Sequence, residues 1–297
     1  MSGIGDLGNW GSLASPLVEF GFMRRALVAC FALSLSSAPV GVLLVLRRMS
    51  LIGDAMAHAV LPGAALGFVV AGLSLPAMSL GGFVGGLIVA GLAGLTSRWT
   101  AQKEDASFAA FYLIALAAGV MIISAKGSSV DLMHVLFGSI LAVDDMALSL
   151  MAGVAIVTLV TLSLLYRPLV CECADPDFFR TVSRWGGPVH LVFMALVVLN
   201  LVAGFLALGT LMAVGLMMLP AASARFWARS LPGLVGIAVL LALISSAAGL
   251  LVSFHANLPS GPAIVLCAGA LFGLSLLLGQ HDSLRAQWLL AMRHKEA

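Results

Sequence analysis

Charge is scarce in this sequence. Asp, Glu, Lys and Arg make up 9% of its 297 residues, 61% are hydrophobic, and mean hydropathy is +1.12. Soluble domains carry about 25% charged residues, so this chain cannot cover a globule in water. Lysine occurs at Lys103, Lys126 and Lys295; none follows a glycine in a GxxxxGK[ST] loop, which excludes ATP hydrolysis by a P-loop of its own. Of the four cysteines, Cys30 and Cys267 fall in apolar runs and Cys171 and Cys173 in a polar stretch, which excludes a disulfide framework. There is no His-rich tract and no basic patch of the kind that binds nucleic acid. The opening residues lack the basic segment of a secretory signal peptide, so the first apolar run is expected to stay attached.

What is present is a series of apolar runs of about 20 residues, the length that crosses a hydrocarbon core as a helix. Nine are expected, near 24–46, 54–73, 77–97, 107–125, 146–166, 188–208, 209–224, 233–254 and 261–279, the sixth and seventh nearly continuous. A shorter apolar piece, residues 130–143, is too brief to span. The expected fold is an all-α polytopic bundle of eight to ten spans over 24–280, with an N-terminal extension (1–23) and a tail (281–297). If the first span runs inward, 12 of the 15 basic residues face the cytoplasm; Arg24, Arg25 and Lys126 are the exceptions. The positive-inside rule therefore puts the C-terminus in the cytoplasm. Small residues recur four apart at Ala59, Gly63 and Gly67, at Gly81 and Gly85, and at Gly82 and Gly86. In lipid such positions let helix backbones approach closely, within one bundle or between subunits.

The stretch "RRMSLIGDAMAHAVLPGAALG", residues 47–67, sets an acid and an imidazole one helical turn apart. Asp54 and His58 at i and i+4 share a helix face. At about 1.5 Å per residue from Arg48 they lie roughly 9 and 15 Å into the bilayer. A lone carboxylate there costs at least about 2.5 kcal/mol, so something must compensate. Either the two bond to each other or to neighbouring helices and only fix packing, or they hold a cation. Pro62 has no N–H, so the His58 carbonyl loses its helical donor and the helix can kink. Carboxylate and imidazole both ligate first-row divalent metals. Two copies across a two-fold axis would supply two Asp and two His, a set that suits tetrahedral zinc.

The same stretch resembles the signature of bacterial ABC-type zinc/manganese permeases. Three further blocks agree in order: "VDLMHVLFGSILAV", "GTLMAVGLMMLPAASARFWARS" and "SFHANLPSGPAIVLCAGALFGLSLL". The resemblance covers about residues 20–279 and implies a vitamin-importer-type (type II) permease fold. It implies the membrane subunit of an importer in the cytoplasmic membrane, acting as a homodimer. A separate cytoplasmic ATPase would drive it and an extracytoplasmic binding protein would deliver Zn²⁺, or else Mn²⁺ or Fe²⁺. The metal is substrate, not a resident cofactor. On this resemblance Asp54 and His58 match the family's intramembrane acid and histidine.

Residues 219–232 look like the segment that docks on the ATPase, with Pro220, Ala224, Arg225 and Arg229 as its expected contacts. Pro220 is placed to open a helix, and Arg225 and Arg229 at i and i+4 would then share a face. Asp131 keeps its family position, His134 takes a variable one, and Ser139 stands where relatives often carry an acid. Asp131, His134 and His255 are auxiliary metal candidates. Cys171 and Cys173 are weak candidates for metal on its way out. Met212, Met217 and Met218 read as packing rather than a soft copper site. The rival class is a secondary metal carrier or channel without an ATPase, which would lack a docking segment.

Overall fold

A computed structural model describes residues 20–286 except 73, 126–142, 176, 177, 180 and 182; Asp131, His134 and Ser139 lie outside the described residues. Ten helices follow one another among the described residues: α1 (Gly21–Leu46), α2 (Ser50–Ala71), α3 (Leu75–Trp99), α4 (Glu104–Ala125), α5 (Asp145–Leu164), α6 (Tyr166–Ala174), α7 (Gly186–Leu208), α8 (Thr210–Ala224), α9 (Leu231–Ala256) and α10 (Ser260–Leu278). Eight are long and apolar enough to cross a membrane, all but α6 and α8. Eight of the nine expected spans appear, their ends shifted by a few residues; the seventh, near 209–224, is α8, an apolar helix of 15 residues that is too short to span. No strand occurs among the described residues. The chain is an all-α, multi-pass membrane protein.

Local chemistry accounts for the boundaries. Asp144 caps α5, its carboxylate accepting from the Ala147 N–H at 2.8 Å. Glu104 and Asp105 occupy the first turn of α4, where the helix dipole favours acids. Prolines sit in the first turn of α3 and α9, where their missing N–H costs nothing. Between α1 and α2 the chain reverses over residues 47–49, with Arg48 left-handed at φ 59°. Between α7 and α8 it reverses at Gly209 alone, at φ 95°, a conformation glycine adopts without strain. That one residue turns the nearly continuous run 188–224 into two helices.

Two apolar clusters share α1, α7 and α8. One joins α2, α3 and α4 around Met56, Phe108, Phe193 and Leu201. The other joins α5, α9 and α10 around Met23, Leu33, Met212 and Ile264. Met212 and Met217 are fully buried within them, so these methionines pack the core. Helices α2 and α3 touch backbone to backbone: a methyl added at Gly63 would overlap the Gly81 carbonyl, and one at Gly81 the Gly63 carbonyl. The small-residue spacing thus serves packing inside one chain.

Apart from Asp54, the described charged residues gather at the two ends. Arg47, Arg48, Lys103, Glu104, Asp105 and Glu172 surround one cavity at the end where α1 stops and α4 starts. At the opposite end Arg25 meets Asp145 at 3.6 Å, both exposed, and so contributes little.

Candidate metal site

Asp54 and His58 lie in the first half of α2, about 6 and 12 Å along it from Ser50 at 1.5 Å per residue. Asp54 is exposed on the single chain and His58 half-buried. The two do not bond to each other, and among the described residues Asp54 has no hydrogen-bond or ion-pair partner. Both line a cavity of about 310 Å³ with Thr210, Leu211, Val214 and Val265. Asp54 also lines a second cavity of about 210 Å³ on its other side, with Asp105, Phe108 and Tyr112. The ring of Tyr112 stands 6.3 Å from that of His58, inclined by 30°.

The position of α2 follows from what encloses it. One flank is fixed by the Gly63–Gly81 contact with α3, and Pro62 packs against Gly119 of α4. Helix α2 runs on through Pro62 to Ala71, so the proline does not end the helix. The remaining face, carrying Asp54 and His58, looks onto the first turns of α8. At 15 residues α8 is about 22 Å long, shorter than the hydrocarbon core. It therefore starts inside the bundle, beside the pair. Thr210 and Tyr112 are neighbours that sequence reasoning missed. The Gly209–Thr210 break between two apolar runs was the available signal for Thr210; nothing local marked Tyr112.

Carboxylate and imidazole are both ligand types for first-row divalent cations. Among the described residues no group of three or more His, Cys, Asp or Glu is arranged to hold a metal ion. One chain brings a carboxylate and an imidazole, and their open face leaves room for more. His255 is not part of this constellation: it is exposed in the last turn of α9, its Nδ1 2.9 Å from the Leu251 carbonyl oxygen. Cys171 and Cys173 do not converge either. Cys171 is exposed, whereas Cys173 packs toward the core, and burial pushes its thiol up to about 11 despite the nearby Arg47 charge.

The expected docking segment folds differently from the sequence reading. Pro220 does not open a helix; it lies buried inside α8, which ends at Ala224, also buried. Residues 225–230 form a turn, so Arg225 and Arg229 are not on one helical face, although both are exposed. The turn is clamped to α10 and the residues after it: the Trp227 indole donates to Ser275 Oγ at 2.9 Å, and the His281 N–H to the Phe226 carbonyl at 2.9 Å.

Eight long apolar spans with an acid and an imidazole opening onto an intramembrane cavity define a polytopic membrane permease. Residues 19–279 match the ABC 3 transport family, and the chain belongs to it. It is 33% identical to the manganese import system permease protein ScaB of Streptococcus parasanguinis over 88% of this chain and 92% of that one. It is 30% identical to the manganese transport system membrane protein MntC of Halalkalibacterium halodurans over 94% and 95% of the two chains. Among solved structures it resembles PsaBC from Streptococcus pneumoniae in complex with Fab, with a TM-score of 0.80 and 30% identity over 91% of this chain and 96% of that one. The chain is thus a metal-transporter permease subunit.

Proposed function

We propose that two copies of this chain form the pathway of an ATP-driven importer for a first-row divalent cation. The cation is held between Asp54 and His58 of one copy and the same residues of the other. One observation carries the reading: Asp54 is exposed on a membrane span and has no partner among the described residues, one turn before a half-buried His58. A carboxylate on such a face is expensive unless an opposite charge visits it. Two carboxylates offset the charge of a divalent ion, and two imidazoles complete a set of four ligands.

Manganese is the favoured cargo. ScaB and MntC are both named for it, and carboxylate oxygens suit Mn²⁺ well. Zinc, the first expectation from the sequence, and iron are the competitors. The end carrying Arg47, Arg48, Lys103, Arg225 and Arg229 faces the cytoplasm by the positive-inside rule, in the inner membrane, with the C-terminus on that side. There Arg225 and Arg229, on the turn after α8, offer charge to an ATPase subunit. The opposite end receives metal from a binding protein.

The test is Mn²⁺ accumulation in cells that lack their own manganese and zinc importers, supplied with this permease and its ATPase and binding protein. Uptake that depends on the ATPase and disappears in Asp54→Ala supports the reading. Uptake without the ATPase would favour a secondary carrier, and unchanged uptake by Asp54→Ala at normal expression would sink the site. Competition with Zn²⁺ and Fe²⁺ ranks the cargo.

A further inference from the structure

Four ionisable side chains far apart in sequence meet at the basic end of the bundle. Arg47, just past α1, donates through Nη2 to Glu172 Oε1 on α6 and lies 3.1 Å from His190 Nδ1 on α7. The other ring nitrogen, His190 Nε2, is 2.9 Å from Glu104 Oε1 at the start of α4, and Nδ1 is 3.3 Å from Glu172 Oε1. With Nε2–H donating to Glu104, an unprotonated Nδ1 accepts from Arg47, whereas the Nδ1–Glu172 contact is a hydrogen bond only when Nδ1 also carries a proton. The guanidinium also stands 4.9 Å over the Phe193 ring. The side chains of Arg47, Glu172 and His190 are only 5%, 0% and 4% exposed.

Burying charges this deeply gains little stability over an apolar core, and such groups are often kept to select one arrangement over others. Here the network also has unused capacity. Arg47 Nη1 and Glu172 Oε2 are buried without a partner among the described residues. Beside them lies a cavity of about 630 Å³ lined by Arg48, Lys103 and Asp105 as well as by Arg47 and Glu172. Alternative partners of both signs are therefore within the same cavity. Arg47 belongs to the reversal from which α2 starts at Ser50, and Asp54 follows in the first turns of that stiff helix. Whatever holds the reversal holds the metal ligands.

We propose that Arg47, Glu172 and His190 are positioning residues for metal transport. The network pins the α1–α2 reversal to α4, α6 and α7, and partner exchange across the adjoining cavity lets α2 carry Asp54 and His58 between holding and releasing the ion. This rests on the proposed metal site and adds a second, separate requirement to it.

The test uses Glu172→Gln, His190→Gln and the double variant in the complete transporter, with Mn²⁺ uptake measured per permease copy in the membrane. Each single variant should lower maximal uptake per copy at least tenfold, while Mn²⁺ binding to the purified permease stays within twofold. The double variant should be no worse than the weaker single, because both act through one network. Maximal uptake within twofold of wild type in both singles overturns the proposal, as does a double variant that shows the product of the two losses. Glu172→Asp, with the same expectation, replaces any variant that fails to accumulate. Asp54→Ala separates the two layers: if it binds and transports normally, the metal site itself fails, whatever the network variants do.

Discussion

Removing the charge at Asp54 should make the metal-free protein more stable while ending its transport. The carboxylate lies about 6 Å along a span, exposed and without a partner among the described residues. A charge at mid-bilayer costs at least about 2.5 kcal/mol, less toward the ends, so Asp54→Asn recovers up to about 2 kcal/mol. With about 2.1 cal/mol/K of unfolding entropy per residue, a chain of 297 residues shifts by roughly 1.6 °C per kcal/mol. The variant should then melt about 3 °C above wild type without metal. Mn²⁺ at a hundredfold excess over Kd should stabilise wild type by about 2.7 kcal/mol, or roughly 4 °C, and leave the variant unmoved. The assay is a thermal melt followed by tryptophan fluorescence in lipid nanodiscs, with and without Mn²⁺. The order of the two proteins reverses on adding metal. A variant that melts lower than wild type without metal, or that responds equally to Mn²⁺, refutes the reasoning.

Other consequences follow from the packing and the buried ions. Glu172→Ala leaves Arg47 buried with one fewer carboxylate and should cost about 3–5 kcal/mol, or roughly 5–8 °C. Pairing it with Arg47→Met removes both charges and should recover most of that loss in the same melt. Gly81→Val drives a side chain into the Gly63 carbonyl and should cost at least about 1–3 kcal/mol; a melt indistinguishable from wild type would deny the α2–α3 contact. With its pKa pushed up to about 11, the Cys173 thiol stays protonated at neutral pH and reacts through a small thiolate fraction. In a Cys171→Ser background its maleimide labelling at pH 7.5 should be at least tenfold slower than that of Cys171 in Cys173→Ser. Its rate should rise about tenfold per pH unit until the pKa is approached.

The spans were legible because an apolar run of bilayer length has one outcome in lipid, a helix. The run at 24–46 became Gly21–Leu46, and the run at 233–254 became Leu231–Ala256. The expected second span began too late, at Asp54. A break at a charge is sound on hydropathy, but the helix had already formed at Ser50, after a reversal at Arg48. Pro220 misled for a related reason: a proline favours a first turn, yet neighbouring helices tolerate it inside a membrane span. The Asp54–His58 pair was legible because the two residues are local, one turn apart. The Arg47–Glu172–His190–Glu104 network was not. Its members come from four segments, and no periodicity connects an arginine to an acid 125 positions away.

In the proposed transporter, one divalent ion is shared by two copies of this chain at Asp54 and His58. Elemental analysis of the purified permease in nanodiscs, equilibrated with Mn²⁺ and washed, counts that ion. One Mn²⁺ per two chains is expected, lost in Asp54→Ala and in His58→Ala alike. One ion per chain, or an ion retained in both variants, would contradict it.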